Sequence, residues 1–411
     1  MRILFLNRAY LPDVEATGQY LAELAEDLSP HHEISVLCGQ PNLGELDGRA
    51  FPYRRERVGP AEVWRAWGTR WPKGVPLGRM LNQASFFGLA GLTALRVPRP
   101  DIVVSLTDPP FLGLLALRLK RRLRVPFVYW CMDIYPDVAE AVGMAPGPLA
   151  AAFNRVQRRI LAGADAVVAL ADDMAARLAD KGVADGRVRV IRNWADTRAI
   201  RPLKAGNRFR ARQGLGDKFV AMYSGNFGYV WDLDAVLEAA RRLRDDERVA
   251  FVLIGDGSTR AAVERRVRAE GLTNVRLLPY QARERLAESL SAADVHLVPL
   301  RRGVCGTVVP SKVYGILASG TPFAALSERD GEAARVVREH RCGWCGEPGD
   351  VAGLAGFIRF ASSQPGRLRA MGGRARAAAE CYYARPRQTA QFRDLLEQLV
   401  AEGGSALRTA T

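Results

Sequence analysis

The sequence predicts an α/β protein of two doubly wound parallel-sheet domains facing a cleft, closed by a C-terminal helix. Three observations lead there. The chain has 411 residues, too many for one ordinary core and suited to two domains of roughly 200 residues each. Its first part alternates short unbroken apolar runs with helical periodicity, the mark of parallel strands buried on both faces. After a polar stretch ending at Pro202 the same alternation begins again.

Residues 3–6 are apolar throughout and read as a buried strand. A loop with Pro12 and Gly18 follows, and Leu21, Leu24, Ala25 and Leu28 space a helix over 19–28. A strand over 33–38 completes a βαβ unit, the building block of a parallel sheet. Further strands are expected at 102–105, 127–131, 166–169 and 188–191. In the second part strands at 219–223, 250–254, 275–278, 295–300 and 322–325 alternate with helices at 234–243, 259–270, 284–292 and 312–319. Phe392, Leu395, Leu396 and Leu399 give the tail, 386–401, one amphipathic helix. The expected division is 1–196 and 203–380, both Rossmann-like, with a terminal helix over 381–402.

Composition excludes several classes. At 48% hydrophobic and 25% charged residues the chain is globular, neither disordered nor fibrous. Its formal charge of +15 points to nucleic acid, an anionic membrane surface or anionic substrates, with plainly solvated helix faces as the alternative. The start, Met1-Arg2 running straight into a strand, shows no secretory signal, and no apolar run is long enough to span a bilayer. A cytoplasmic protein, soluble or peripheral at the membrane's inner face, is expected. Six cysteines are scattered through the chain, so a disulfide framework is not expected. Cys342-Gly343-Trp344-Cys345 lacks a second ligand pair for zinc beyond His340 and sits too late in the chain for a redox motif, so these cysteines read as structural. His31 and His32 fall in a loop, and His296 lies inside an apolar strand, where a core role fits best.

Open α/β sheets bind ligands at the carboxyl ends of their strands. Tyr223-Ser224-Gly225-Asn226-Phe227-Gly228, Ile254-Gly255-Asp256-Gly257 and Leu278-Pro279-Tyr280 each stand at such an end. Glycine lets the backbone approach a ligand, and a following helix N-terminus offers free N–H groups to phosphate. Each is explained singly by a tight turn; three on one edge suggest a nucleotide cleft. Residues 309–322, Val-Pro-Ser-Lys-Val-Tyr-Gly-Ile-Leu-Ala-Ser-Gly-Thr-Pro, are more specific. Pro310 and Ser311 can open a helix, as first-turn proline and cap, and Lys312 then places a cation at its positive end, suited to a diphosphate. Arg301 and Arg302 stand nearby in sequence, and Lys312 with Arg302 is the expected diphosphate clamp.

These segments, with Ile191–Trp194, Asp133-Ile134-Tyr135-Pro136 and the opening 7–28, resemble the GT4 family of retaining glycosyltransferases with the GT-B fold. The likeness is greatest to bacterial members of colanic acid, O-antigen and capsule synthesis that share a Pro-Ser-Lys segment. The resemblance implies transfer of a hexose or N-acetylated amino sugar from a nucleotide diphosphate sugar, UDP foremost, to a glycan acceptor carried on polyprenyl diphosphate. It implies no metal and no cofactor beyond the donor. The first half would bind the acceptor. Gly225, Asn226, Gly255, Tyr280, Arg302, Thr307, Ser311 and Lys312 would bind the donor, and Gly18 would let its diphosphate approach the first loop. Asp133 would be the catalytic carboxylate, orienting the acceptor or steadying positive charge on the sugar ring, with Asp108 and Asp137 as weaker candidates and a loop-capping role as the alternative. The departures are specific. Many members carry two glutamates eight positions apart where this chain has Thr307 and Gly315, and an Arg and a Lys where it has Asn226 and Trp231.

Arg54, Arg55, Arg57, Arg65, Arg70 and Lys73 are interleaved with Trp64, Trp67 and Trp71 ahead of the apolar run 86–90. Arg118, Lys120, Arg121, Arg122 and Arg124 form a second basic run. Cations beside Trp and Phe suit an anionic lipid surface. No winged, helix-turn-helix or RNA-binding pattern accompanies them, so nucleic acid is not expected. Two other functions share the architecture. A nucleotide-sugar epimerase would need acid–base carboxylates and histidines at the cleft, and the histidine supply is poor. A non-catalytic nucleotide-sugar-binding protein is suggested by Thr307 and Gly315. A dehydrogenase is disfavoured, since no GxGxxG follows the first strand of either half.

Overall fold

The computed structural model describes residues 1–13, 15–41, 51–71, 76–144 and 147–409. The first domain is built on an eight-stranded sheet of β1 (Arg2–Leu6), β2 (Glu33–Gly39), β3 (Tyr53–Val58), β4 (Ala61–Ala66), β5 (Ile102–Ser105), β6 (Phe127–Trp130), β7 (Ala166–Ala169) and β8 (Val188–Val190). Its order is β3-β4-β2-β1-β5-β6-β7-β8, parallel except for the β3–β4 hairpin. The second is a six-stranded parallel sheet of β9 (Phe219–Ser224), β10 (Val249–Ile254), β11 (Val275–Leu278), β12 (Val295–Pro299), β13 (Phe323–Leu326) and β14 (Gly343–Gly346), in the order β11-β10-β9-β12-β13-β14.

Register explains why the strands read as continuous apolar runs. In β1, Ile3 faces Ile34 on one side and Ile102 on the other, and Ile3 to Leu6 are all at most 1% exposed. Both faces are covered by helices, so no position is left for a polar residue. In each sheet the chain runs outward in both directions from a central strand, β1 or β9. The crevice beside that strand's carboxyl end is where such sheets bind ligands, and there the two domains meet.

Most expected strands fall within a residue or two of the observed ones. Two differences have physical causes. The run at 54–66, read as a basic aromatic surface, is the β3–β4 hairpin, with Arg55 opposite Trp64 and Glu56 opposite Val63. Its charges pair across the strands, Arg55 with Glu62 and Arg65 with Glu56, so its charge pattern hid its strand pattern. The Cys-Gly-Trp-Cys segment is strand β14, where a Cβ on Gly343 would meet the Phe323 carbonyl oxygen at 1.9 Å, so only glycine fits against β13. All six cysteines are free. His296 is fully buried, its Nε2 2.9 Å from the Leu290 carbonyl oxygen, and burial lowers its pKa to about 3. His32 pairs with Glu397 at 3.1 Å.

The terminal helix runs Arg385–Thr409, longer than expected, while Cys381 and Tyr382 end the helix before it, Pro365–Tyr382. It returns to the first domain. Phe392 lies 4.5 Å from the Trp130 ring, and the Arg385 guanidinium bonds Asp27 at 2.6 Å and Glu26 at 2.7 Å. No helix among the described residues is long and apolar enough to cross a membrane.

Candidate active site

The expected donor side is built from glycine-marked strand ends. Gly225, Gly255 and Gly257 hold φ of +146°, +141° and +150°, a region that side chains rarely enter. A Cβ on Gly255 would meet the Gly225 carbonyl oxygen at 1.9 Å, and one on Gly257 the Asn226 Oδ1 at 2.3 Å. The two loops therefore nest, and Gly255→Ala is expected to cost on the order of 3 kcal/mol through strain and overlap. Its urea midpoint measures this; a wild-type midpoint would show that the nest is not tight.

Lys312 is the first residue of the helix Lys312–Ala318. Its Nζ sits 3.6 Å from the Tyr223 ring centroid and 3.7 Å from that of Trp231. Trp231 is held there by a bridge between its backbone and Leu300, which ties the loop after β9 to the end of β12. The ammonium is buried and has no hydrogen-bond partner among the described residues. Burial pushes its pKa well below the ordinary lysine value. A Cβ on Gly225 would approach Nζ to 2.9 Å, so the glycine leaves the space beside the cation open. Two aromatic faces supply some compensation. No counter-anion among the described residues does.

The other expected donor residues divide. Asn226 is exposed and its carbonyl oxygen accepts the Tyr223 hydroxyl. Tyr280 is 51% exposed and its hydroxyl donates to the Asp256 carbonyl oxygen at 3.3 Å, bridging two strand ends. Arg302 is not brought to Lys312, which corrects the expected clamp. It donates to the Pro348 carbonyl oxygen at 3.3 Å and lies 3.8 Å from Glu347. The backbone bond from Arg301 N to Val230 O fixes the strand end, and the chain then turns outward at Gly303. Ser311 stands at the cap position but makes no cap bond; the neighbouring Tyr20 hydroxyl of the first domain donates to the Trp194 carbonyl oxygen at 3.3 Å. Thr307 is fully buried and its hydroxyl donates to Val304 O at 2.7 Å, closing its own loop. Gly18 fits the helix Ala16–Leu28 against the first loop, where a Cβ would be 3.1 Å from the Ala9 carbonyl oxygen.

On the first domain Asp133 follows β6 and faces the second domain, its backbone bridged to Val308. The next residue, Ile134, donates its N–H to the Thr307 carbonyl oxygen at 2.8 Å. Burial, and then the nearby charge of Asp108, raise the Asp133 carboxyl to about 6. Asp108 itself is engaged by Arg8 at 3.2 Å, which also pairs with Glu15 at 2.8 Å. Asp137 is spent on Arg177 at 2.9 Å and Lys181 at 2.6 Å and plays a structural part. No group of three or more His, Cys, Asp or Glu able to hold a metal occurs among the described residues.

One cleft residue was not singled out from sequence. Asp173, at the start of the helix Asp172–Asp180, passes its carboxylate across to the second domain. There Oδ2 accepts from Gly306 N at 3.1 Å and Glu332 N at 3.3 Å. These bonds fix the loop that lays Thr307 and Val308 against the Asp133 segment. Its position just beyond β7, on the same carboxyl edge as Asp133, was the available signal.

Three arginines of the basic aromatic run are paired, sharing Glu56 and Glu62. Arg55 lies over Trp64 at 5.0 Å, Arg54 pairs with Glu56 at 3.1 Å, and Arg65 is buried. Lys73 lies outside the described residues.

Comparison with known proteins agrees with this geometry. Residues 16–194 match the glycosyl transferase 4-like domain and residues 207–378 match glycosyl transferases group 1. The chain is 30% identical over 387 residues to the Escherichia coli (strain K12) protein named as a colanic acid biosynthesis glycosyl transferase, WcaI, covering 89% of this chain and 93% of that one. It is 31% identical over 270 residues to the Pseudomonas aeruginosa glycosyltransferase WbjE, covering 64% and 66%. Anabaena HepE, solved with UDP-glucose, superposes with a TM-score of 0.75 at 16% identity, covering 97% of this chain and all of that one. A two-domain fold of this kind with matches to both halves defines a glycosyltransferase class. The chain belongs to the GT4 family of GT-B glycosyltransferases.

Proposed function

We propose that this glycosyltransferase moves a hexose or N-acetylated amino sugar from a UDP-sugar, with retention, to a lipid-linked glycan in surface polysaccharide synthesis. The observation that carries the reading is the buried Lys312 ammonium, with no counter-anion among the described residues, beside the open space at Gly225. A cation taken out of water is costly unless an anion joins it. The diphosphate of a nucleotide sugar supplies that charge, and the nested loops at Gly225, Gly255 and Gly257 let its backbone-lined path come close. The relatives' names, colanic acid synthesis in WcaI above all, favour a polysaccharide product, and HepE with UDP-glucose favours uridine.

In the reaction the bond from the sugar's anomeric carbon to the diphosphate breaks, and a bond to the acceptor oxygen forms on the same face. The acceptor's proton passes to the departing phosphate oxygen, so no strong protein base is needed. Lys312 neutralises charge growing on the diphosphate. Asp133, reaching in from the other domain, orients the acceptor hydroxyl or steadies positive charge on the ring. Neither step uses a metal. The acceptor is carried on polyprenyl diphosphate, and the enzyme works at the cytoplasmic face of the membrane.

A thermal-shift panel of UDP, GDP, ADP and dTDP with their sugars tests the donor. UDP and UDP-sugars are expected to raise the melting temperature in proportion to the logarithm of concentration, the others little. Selective stabilisation by GDP would overturn the uridine assignment. Release of free UDP only when acceptor is present separates transfer from non-catalytic binding.

A further inference from the structure

Loop 303–308 is held from both domains. On the second domain's own side the Glu328 carboxylate accepts Gly303 N at 2.8 Å. From the first domain Asp173 Oδ2 accepts Gly306 N at 3.1 Å, and Cys305 Sγ lies 3.5 Å from the same oxygen. Gly306 holds φ of +70°, and a Cβ there would come within 2.9 Å of the Asp173 carbonyl oxygen. The first domain's backbone is thus seated directly on this glycine.

The same carboxylate oxygen reaches a second element. It accepts Glu332 N at 3.3 Å, at the start of the helix Glu332–His340. The Glu332 side chain is buried, and its carboxylate accepts the Tyr314 hydroxyl at 3.2 Å. It also pairs with Arg335 at 2.7 Å, and Arg192 of the first domain stands 3.6 Å away. Tyr314 is two residues beyond Lys312 in the helix Lys312–Ala318. Through Gly306, Asp173 holds the loop whose Thr307 and Val308 meet the Asp133 segment. Through Glu332 it holds the helix that carries Lys312.

We propose that Asp173 is a positioning residue for transfer, setting loop 303–308 and the Lys312 helix against Asp133 without itself touching the substrates. The proposal rests on the reading that this cleft transfers a sugar from a UDP donor. Its own hydrogen bonds favour a positioning part over a share in donor binding. Oδ2 is engaged by the two backbone amides of the second domain, and Oδ1 accepts Met174 N at 2.8 Å. Displacing reacting groups by about 1 Å costs up to about a hundredfold in rate, so a carboxylate remote from the chemistry can still set the turnover.

The test compares Asp173→Ala and Asp173→Asn in the full chain with the wild type. Asparagine keeps an oxygen for Gly306 N and Glu332 N but loses the charge and the Met174 bond; alanine loses everything. Turnover is read as UDP released from UDP-glucose with polyprenyl-diphosphate-linked glucose as acceptor. Alanine is expected to lower kcat about thirtyfold while the dissociation constant of UDP stays within about twofold. Asparagine is expected to keep kcat within about threefold of the wild type. Alkylation of Cys305, followed by peptide mass spectrometry, is the second readout. Burial, then the charges of Asp173 and Glu328, push its thiol up, so the wild type reacts slowly there. Both substitutions remove the Asp173 charge equally. The excess of the alanine rate over the asparagine rate therefore reads the loosened loop, and about tenfold is expected. Equal alkylation rates in the two variants would overturn the positioning role, as would wild-type kcat in the alanine variant or an asparagine variant as slow as alanine. A loss of UDP affinity matching the loss of kcat would mean general damage to the donor side and overturn it as well. Failure of the donor reading would show instead as no UDP binding by the wild type. In that case, or where the wild type does not turn over this pair of substrates, the alkylation rates alone decide.

Discussion

Lys312→Met is expected to weaken UDP binding by one to two decades while making the unliganded protein more stable. The first effect follows from losing a charge-assisted contact to phosphate, about 1.5–3 kcal/mol. The second follows from where the ammonium sits. Tyr223 and Trp231 cover it at 3.6 and 3.7 Å, and nothing among the described residues accepts its protons. Methionine is of similar length and keeps the packing against both rings without the desolvated charge, a gain of about 1–3 kcal/mol.

The pH dependence separates this from a packing effect. A lysine whose folded pKa lies below its unfolded value holds fewer protons when folded. Stability of the unliganded wild type then rises with pH from that depressed value towards the ordinary 10.5. The methionine variant lacks this rise, so the two curves converge as pH increases. Calorimetry with UDP and melting curves from pH 7 to 10 measure both. Unchanged UDP affinity would remove Lys312 from the donor site, and an unchanged unliganded melting temperature would mean that the cation is compensated.

The parallel sheets were legible because strands such as β10, and β1 from Ile3 onwards, are buried on both faces and are apolar at every such position. The β3–β4 hairpin was not, because its polar positions pair across strands, a relation invisible to a reading along the chain. The same limit applies at the site. Lys312 stood out because a helix start follows a proline and a serine, all local. That its neighbours would be Tyr223 and Trp231, some 80 to 90 residues earlier, depends on the nesting of loops at Gly225 and Gly255. Arg302 was misplaced for the converse reason: closeness in sequence suggested a pair, and the turn at Gly303 sends it elsewhere. Asp173 needed the second domain to give it meaning, since the amides it accepts belong to Gly306 and Glu332.

Asp133→Asn is expected to lower turnover about a hundredfold, the scale of one electrostatic contact at a reacting centre, and to raise stability near neutral pH. Burial raises the carboxyl from the ordinary 3.8 to about 6 in the folded protein. Between these values the folded state holds more protons, so stability falls as pH rises through this window and stays lower above it. Removing the ionisable group recovers about 2–3 kcal/mol above pH 6 and nothing below pH 4. Wild-type turnover should fall as pH drops through about 6, where the carboxylate takes up its proton, and the residual activity of the variant should show no such step. A loop-capping aspartate predicts the reverse pattern, a variant that is less stable and turns over normally. Melting curves and kcat from pH 5 to 8 on the same preparations decide between them. The backbone contacts that set the segment in place, Asp133 to Val308 and Ile134 to Thr307, involve no side chain and survive the substitution. A loss of activity with a gain in stability therefore identifies the carboxylate itself as the group that acts in the cleft.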